Sequence, residues 1–443
     1  MARDAAGAHR TRDYLEHAGL AVVRCIRLSR TSKARRVLAG IAVAIAATLV
    51  FFAAWSYEAC AVYDPSLLLP ADNDAASSTD AGADSDPCMH VRPPGPPDGG
   101  ESDAGGTIQV VAAFKTIDIG LTADASAPRP PFGYDLDGVC TCPGLPSCAQ
   151  PKGAPTSCDD DAGGNTGIDN TDIDLFRALG DTASTGTTQI DDGLRSGQYG
   201  LLLVIDNYNG QPDDPSVSVS YYVSNGVNRT SDGGIPVPDF MGDDKWTIDP
   251  NSLQDRGQDP TSIQSCAHNP QCQSVFLDDQ AYVTNKHVVA HFNQLTVAFG
   301  DRSFLGGATM ALSNAVVVGE LEPVSLPVGF SYELLGGTIA GRWPTRALLQ
   351  TLATIPDPAT DGGFLCGHDN VLLSNYDLLK TVVCEAADIS QNPTNDNTGA
   401  ACDAVSVGMT FTAGPAQLGA VFAVPPALAG CGDGGFPFTD NCP

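Results

Sequence analysis

The residues of this 443-residue chain best suited to chemistry are carboxylates crowded into one cysteine-rich stretch. Asp135-Leu136-Asp137-Gly138 opens it. Asp159-Asp160-Asp161 and Asn165 follow Cys158, and Asp169, Asp172 and Asp174 come after. Alternating acids in a glycine-containing loop can turn inward onto one hard cation. Asp135, Asp137, Asp159, Asp161, Asn165 and Asp169 are therefore the candidate ligands of a structural Ca²⁺. The EF-hand template fits poorly: counted from Asp159, the twelfth position is Asn170 where a bidentate Glu is needed, and counted from Asp135 the fifth is Val139. The competing reading is a solvated acidic loop braced by Cys140, Cys142, Cys148 and Cys158. Four cysteines allow three pairings, and their spacing does not choose among them.

Other constellations are weaker. His287 and His291 are four apart, which on a helix would let them grip one zinc ion. Asn285-Lys286 reads instead as a hairpin turn, and four residues along a strand separate side chains by about 13 Å, too far to share a metal. No Gly-x-Ser-x-Gly elbow, glycine-rich phosphate loop or Cys–His nucleophile pair is present. Glu320, Glu322 and Glu333 leave open a polysaccharide hydrolase with paired carboxylates, the first two sharing one strand face. Arg342, Trp343 and Arg346 form a cationic and aromatic island suited to a sugar acid or, alternatively, to pairing with nearby acids at a helix start. Tyr208 between Asn207 and Asn209 would suit glycan stacking.

These residues need a scaffold, and the pattern is mainly β. Ile108–Leu121 carries one or two strands, and Gly200–Ile205 is apolar enough for a buried one. Val217, Val219, Tyr221 and Val223 alternate with Ser218, Ser220 and Tyr222 in a half-buried strand. Asn209-Gly210 and Asn225-Gly226 mark turns. Ala281–Phe292 reads as a hairpin, with further strands at Leu295–Phe299 and Ala315–Leu321. Pro344–Ile355 reads as a helix with Leu348, Leu349 and Leu352 on one side. Ser374 can cap a second that presents Leu378, Leu379, Val382 and Val383. Beyond Asp403 the pattern gives one more strand pair and a loop-rich end held by Cys431 and Cys442. Many short strands with polar turns predict an antiparallel β-sandwich over residues 107–443, as one domain or as two subdomains, with two helices in its C-terminal half.

Residues 1–36 are a basic lead ending in Arg35-Arg36, and 37–55 are nineteen apolar residues, about 28 Å of helix. Nine of the 23 Lys+Arg lie before that span, which orients the C-terminal mass outward. Residues 56–106 are an acidic tether rich in Pro, Gly, Ala and Ser, in which Cys88 is the residue open to being tied down. Cys60, five residues past the span, is a candidate lipidation site, although Tyr57 and Glu58 depart from the lipobox pattern. Single-pass anchor and lipoprotein signal both remain open. After residue 55, 14 Lys+Arg face 49 Asp+Glu, a net charge of about −35 that repels phosphate backbones and argues against nucleic acid as a partner. Exported cysteines read as disulfides: Cys140, Cys142, Cys148, Cys158, Cys266, Cys272, Cys366, Cys384, Cys402, Cys431 and Cys442.

Cys60-Ala-Val-Tyr-Asp-Pro-Ser-Leu-Leu, the acidic linker and Gly133-Tyr-Asp-Leu-Asp-Gly-Val-Cys-Thr-Cys142 resemble uncharacterised exported, lipoprotein-like Cys/Asp-rich proteins of myxobacteria. The resemblance implies export and a cysteine-stabilised β fold, and no activity. The expectation is a membrane-anchored, extracytoplasmic binding or structural protein, more readily non-enzymatic than enzymatic, with extracellular glycan as a candidate ligand.

Overall fold

The computed structural model describes residues 88–97, 106–121, 131–142, 145–151, 154, 158–159, 166–178, 190–254, 260–299, 308–327, 329–354, 375–423 and 440–442. All belong to one compact unit, Ala83–Pro443. Its strands are β1 (Ile108–Asp118), β2 (Gly200–Tyr208), β3 (Asp214–Ser224), β4 (Lys245–Ile248), β5 (Phe276–Thr284), β6 (His287–Ala298), β7 (Thr309–Ser325), β8 (Phe330–Pro344), β9 (Ala404–Pro415) and β10 (Gln417–Val421). Helices α1 (Asp172–Ala178), α2 (Thr345–Ala353) and α3 (Asn375–Glu385) accompany them, and residues 190–195 are also helical.

The expected sandwich is corrected to a closed antiparallel barrel. Eight strands follow the order β1-β2-β3-β5-β6-β7-β8-β9, and β9 returns to pair with β1, Ile117 opposite Phe411. A sandwich and a barrel share the same inward–outward alternation along each strand. Closure is decided by one pairing between the two ends of the folded chain, which local periodicity does not encode. Irregularities in register bend the wall, one of them in β8 between Leu334 and Gly337. There Gly337 lacks the Cβ that would sit 2.4 Å from the Phe411 ring, so the ring packs flat against the strand.

Eight strands leave an interior about wide enough for side chains to fill. Phe114 and Phe411 stack with centroids 4.3 Å apart, and Tyr221 meets Phe114 edge-on at 6.3 Å. Leu203, Val219, Phe292, Leu312, Ile339 and Met409 join the same cluster. The antiparallel order sends the connections 119–199, 225–275, 299–308 and 345–403 out of one end. Leu175 of α1, Leu348, Leu349 and Leu352 of α2, and Val383 of α3 extend the interior cluster there. The short connections 209–213, 285–286 and 326–329 close the other end.

Several local expectations hold. Asn285 and Lys286 take φ of 47° and 66°, as a two-residue hairpin turn between right-twisted strands requires. Others shift. Leu295–Phe299 is the continuation of β6, β7 is far longer than Ala315–Leu321, and β8 occupies a stretch that shows no clean alternation. Pro344 is the cap preceding α2, and Leu378 is 64% exposed instead of joining Val383 in the core. β10 pairs in parallel with β4 instead of forming a hairpin with β9.

Two coverings pack on the outer wall. Over β1–β3, Trp246, Ile248, Leu418 and Val421 cover Ala113, Leu202, Val204 and Tyr222. That is why Gly200–Ile205 is buried on both faces. Over β6–β8, Tyr134 and Leu136 from the acidic segment cover Val289, Val316, Val318 and Ala340.

The disulfides knit distant segments. Cys88 bonds Cys140, Cys142 bonds Cys158, Cys148 bonds Cys402, Cys266 bonds Cys272 and Cys384 bonds Cys442. Only Cys142–Cys158 joins two of the four cysteines that the acidic segment was expected to pair among themselves. Cys442 holds α3 through Cys384. Cys60, Cys366 and Cys431 lie outside the described residues, as does the apolar span 37–55. No helix among the described residues is long and apolar enough to cross a membrane.

Candidate metal centre

The acidic segment is built against the barrel by backbone pairing. Val91 N–H donates to Thr166 O (2.9 Å), Asp135 N–H to Val91 O (2.7 Å) and Asp169 N–H to Tyr134 O (3.1 Å). Three short segments, 88–94, 134–139 and 166–170, are thus laced together, with Cys88–Cys140 across them. Tyr282 on β5 donates its hydroxyl to Pro94 O (2.6 Å), fixing the first segment to the wall.

This lacing brings Asp135, Asp137 and Asp169 together, with one carboxylate oxygen from each inside a 4.8 Å cluster. Asp135 and Asp169 are buried and Asp137 half-buried. Their oxygens are partly engaged. Asp135 Oδ1 accepts from Gly138 N–H (2.6 Å), Asp137 Oδ1 from Val139 N–H (2.9 Å) and Asp169 Oδ2 from Leu136 N–H (2.6 Å). His90 Nδ1 lies 2.5 Å from Asp135 Oδ2. Ser147, 2% exposed, directs its hydroxyl at the Asp137 carboxylate and makes no hydrogen bond of ordinary length.

The electrostatics is that of acids short of counter-charge. Burial, reinforced by the charges of Asp137, Asp159 and Asp388, raises Asp169 well above the usual carboxylate range. Burial raises Asp137 to about 6, with Asp135 and Asp396 adding to the effect. Asp159 reaches about 7, again through burial first and then Asp137 and Asp388. Asp388 is raised by burial, against hydrogen bonds from Ser406 and Thr171. Arg342, 1% exposed, is committed elsewhere. It grips Asp396 bidentately (2.9 and 2.6 Å) and donates to Ser390 O and Leu136 O, both at 2.6 Å.

Three of the six expected ligands therefore converge. Asp159 stands apart, accepting from Thr141 N–H (2.5 Å), and Asp161 and Asn165 lie outside the described residues. Ser147 and His90 were missed because only the fold brings them in; Asp135-x-Asp137 was the one local signal. A second acidic group, Asp239, Asp243 and Asp244, lies mostly exposed ahead of β4 and serves its own turn, Asp244 accepting from Phe240 N–H (2.7 Å).

The remaining candidates resolve into structure. His287 and His291 sit on β6, as the turn required, half-buried and exposed respectively. Glu322 and Glu333 face each other across β7 and β8, but Lys286 pairs with the first (3.0 Å) and Lys115 with the second (3.2 Å). Arg342 and Trp343 are buried in β8. Tyr208 is 2% exposed and donates to Gln211 O, so its ring is no stacking platform.

No family model matches the chain, and neither a curated protein nor a solved structure does.

Proposed function

We propose that the chain is a membrane-tethered, extracytoplasmic binding or structural domain whose acidic segment is fastened to the barrel by a hard divalent cation such as Ca²⁺. The observation that carries the cation is the convergence of Asp135, Asp137 and Asp169 within 4.8 Å, largely out of water. Carboxylates so placed either take up protons or share a cation, and all-oxygen donors suit Ca²⁺ better than zinc. Asp137 and Asp169 each keep an oxygen outside the backbone bonds described, Ser147 supplies a hydroxyl, and water would complete a shell of six to eight.

Export is supported by the disulfides, which persist in oxidising compartments. A filled barrel interior leaves display at the surface, mainly at the end bearing the long connections, as the mode of action. For the anchor, mass spectrometry of the mature N-terminus decides between an acylated Cys60 and a retained span 37–55.

The cation reading is tested on the full-length chain in detergent. After chelation, added Ca²⁺ raises the melting temperature and gives a saturable calorimetric isotherm, and Asp169→Asn removes both effects. At free Ca²⁺ near one hundred times its Kd, the gain is about 2.7 kcal/mol. Identical melts with chelator and with millimolar Ca²⁺ would count against the site.

A further inference from the structure

We propose that the surface groove where the chain leaving β3 meets β10 binds a carboxylate-bearing sugar ring, a hexuronate, through Arg229. The inference is independent of the cation site, which lies on the other covering of the barrel. The groove has a volume of 210 Å³ and is lined by Asn225, Val227, Asn228, Arg229, Ala420 and Phe422 among others. That is below the roughly 300 Å³ at which drug-sized sites begin, and it suits a single ring better than a long chain.

Arg229 is exposed, and its guanidinium lies 5.8 Å from the centre of the Phe422 ring. Lys115, Arg177, Arg195, Lys286, Arg342 and Lys380 each have a carboxylate within 4 Å. Among the described residues Arg229 has none, as is also true of Arg92, Lys245 and Arg346, but only Arg229 lines this groove beside an aromatic ring. A guanidinium over an aromatic ring is attracted to its face and keeps N–H donors for a planar carboxylate.

The rest of the groove suits the ring that would carry that carboxylate. Asn225 Nδ2 donates to Asp249 Oδ2 (2.9 Å) and Phe422 O (2.7 Å), which fixes the amide with its oxygen still able to accept. Asn228 Oδ1 accepts from Ala420 N–H (3.4 Å), which leaves its NH₂ able to donate. A donor and an acceptor beside apolar Val227, Ala420 and the edge of Phe422 match a sugar's alternating hydroxyls and C–H face. Asp249 is already engaged by Asn225 and by Asn251 N–H (2.8 Å).

The test is saturation-transfer NMR on the full-length chain, titrated separately with glucuronate, glucose and acetate. Glucuronate binds at least tenfold more tightly than either control. Arg229→Gln abolishes its advantage over glucose without moving the melting temperature, because the side chain is exposed. Phe422→Ala weakens glucuronate severalfold. Equal binding of glucose, or glucuronate binding that survives Arg229→Gln, would remove the role of the guanidinium. Acetate binding as tightly as glucuronate would reduce the site to charge recognition and overturn the sugar assignment, and absence of any signal would overturn the whole proposal.

Discussion

The barrel carries two coverings, and they are held by different physics. Over β1–β3 the covering is oil: Trp246, Ile248, Leu418 and Val421 bury apolar surface against Leu202 and Tyr222, with one short disulfide, Cys266–Cys272, buried in the same cluster. Over β6–β8 the covering is acidic. Few apolar side chains reach the wall there, and Cys88–Cys140, Cys142–Cys158 and Cys148–Cys402 all serve that side. Burying apolar area stabilises in proportion to its extent and needs no partner. Buried carboxylates are costly until each is protonated, paired or bound to a cation. The acidic covering therefore depends on crosslinks and counter-charge in a way the apolar one does not.

The largest expected effect follows from Arg342. It is the buried cation of the acidic covering, and its four hydrogen bonds tie β8 to both the 134–139 loop and the 390–396 loop. Arg342→Met leaves Asp396 buried without its partner and is expected to cost about 3–5 kcal/mol, read from the urea midpoint. A loss below 1 kcal/mol would mean that the acidic covering is not held by this pair. Next in size is the Cys148–Cys402 bond, which closes the longest loop of the five described. Replacing both cysteines with serine is expected to cost about 2–4 kcal/mol and to raise amide exchange in 134–139 more than in β4 and β10. Equal loosening of both coverings would erase the contrast.

The contrast also marks how much the sequence could disclose. Alternation in Val217–Val223 and the turn at Asn285-Lys286 were legible because both are local. The barrel was not, since a sandwich and a barrel differ only in whether β1 meets β9. Nor was β8: its Gly336-Gly337 pair and the register irregularity beside it hide the period of two. In the acidic segment, Asp135 and Asp137 stood out as an alternating pair in a glycine loop. Their partners did not. Asp169 arrives through backbone pairing with Tyr134, and Ser147 and His90 through disulfides whose connectivity no spacing revealed. The pairing of Arg342 with an acid was among the readings open from sequence; that it lies in a strand was not.

A smaller effect separates protons from cation as the neutraliser. Asp137 and Asp159 have folded pKa values raised above the unfolded 3.8, to about 6 and about 7. The folded state thus holds more protons than the unfolded one between those values, and the slope of stability with pH is negative there. In chelator, stability is expected to be fully present below pH 4 as far as these groups are concerned and to fall as pH rises from about 4 to about 7. Saturating Ca²⁺ should flatten that fall, because the cation takes the place of the protons. Asp137→Asn should raise stability in chelator at pH 7, because the amide carries no charge to bury, while weakening Ca²⁺ binding. The apolar covering offers an internal control: Trp246→Phe should shift the melting temperature equally at pH 5 and pH 7. A pH profile that is flat in chelator would show that burial does not hold protons on these acids, and the distinction between the coverings would narrow to packing alone.

The smallest effect is expected at the two histidines on β6, which flank the covered Val289. His287 and His291 share the outward face of one strand with Val289 between them, and strand geometry separates them by about 13 Å. His291 is exposed, and its backbone N–H, not its ring, makes the strand's contact with Asp278 Oδ2 (2.7 Å). His291→Ala should therefore stay within about 0.5 kcal/mol of the parent, and zinc should leave the melting temperature of both proteins unchanged. A zinc-dependent rise that disappears in His291→Ala would place a metal on β6, beside the acidic covering and not within it. The acidic covering would then no longer be the part of the molecule where a cation has structural consequences, and its crosslinks would need another explanation.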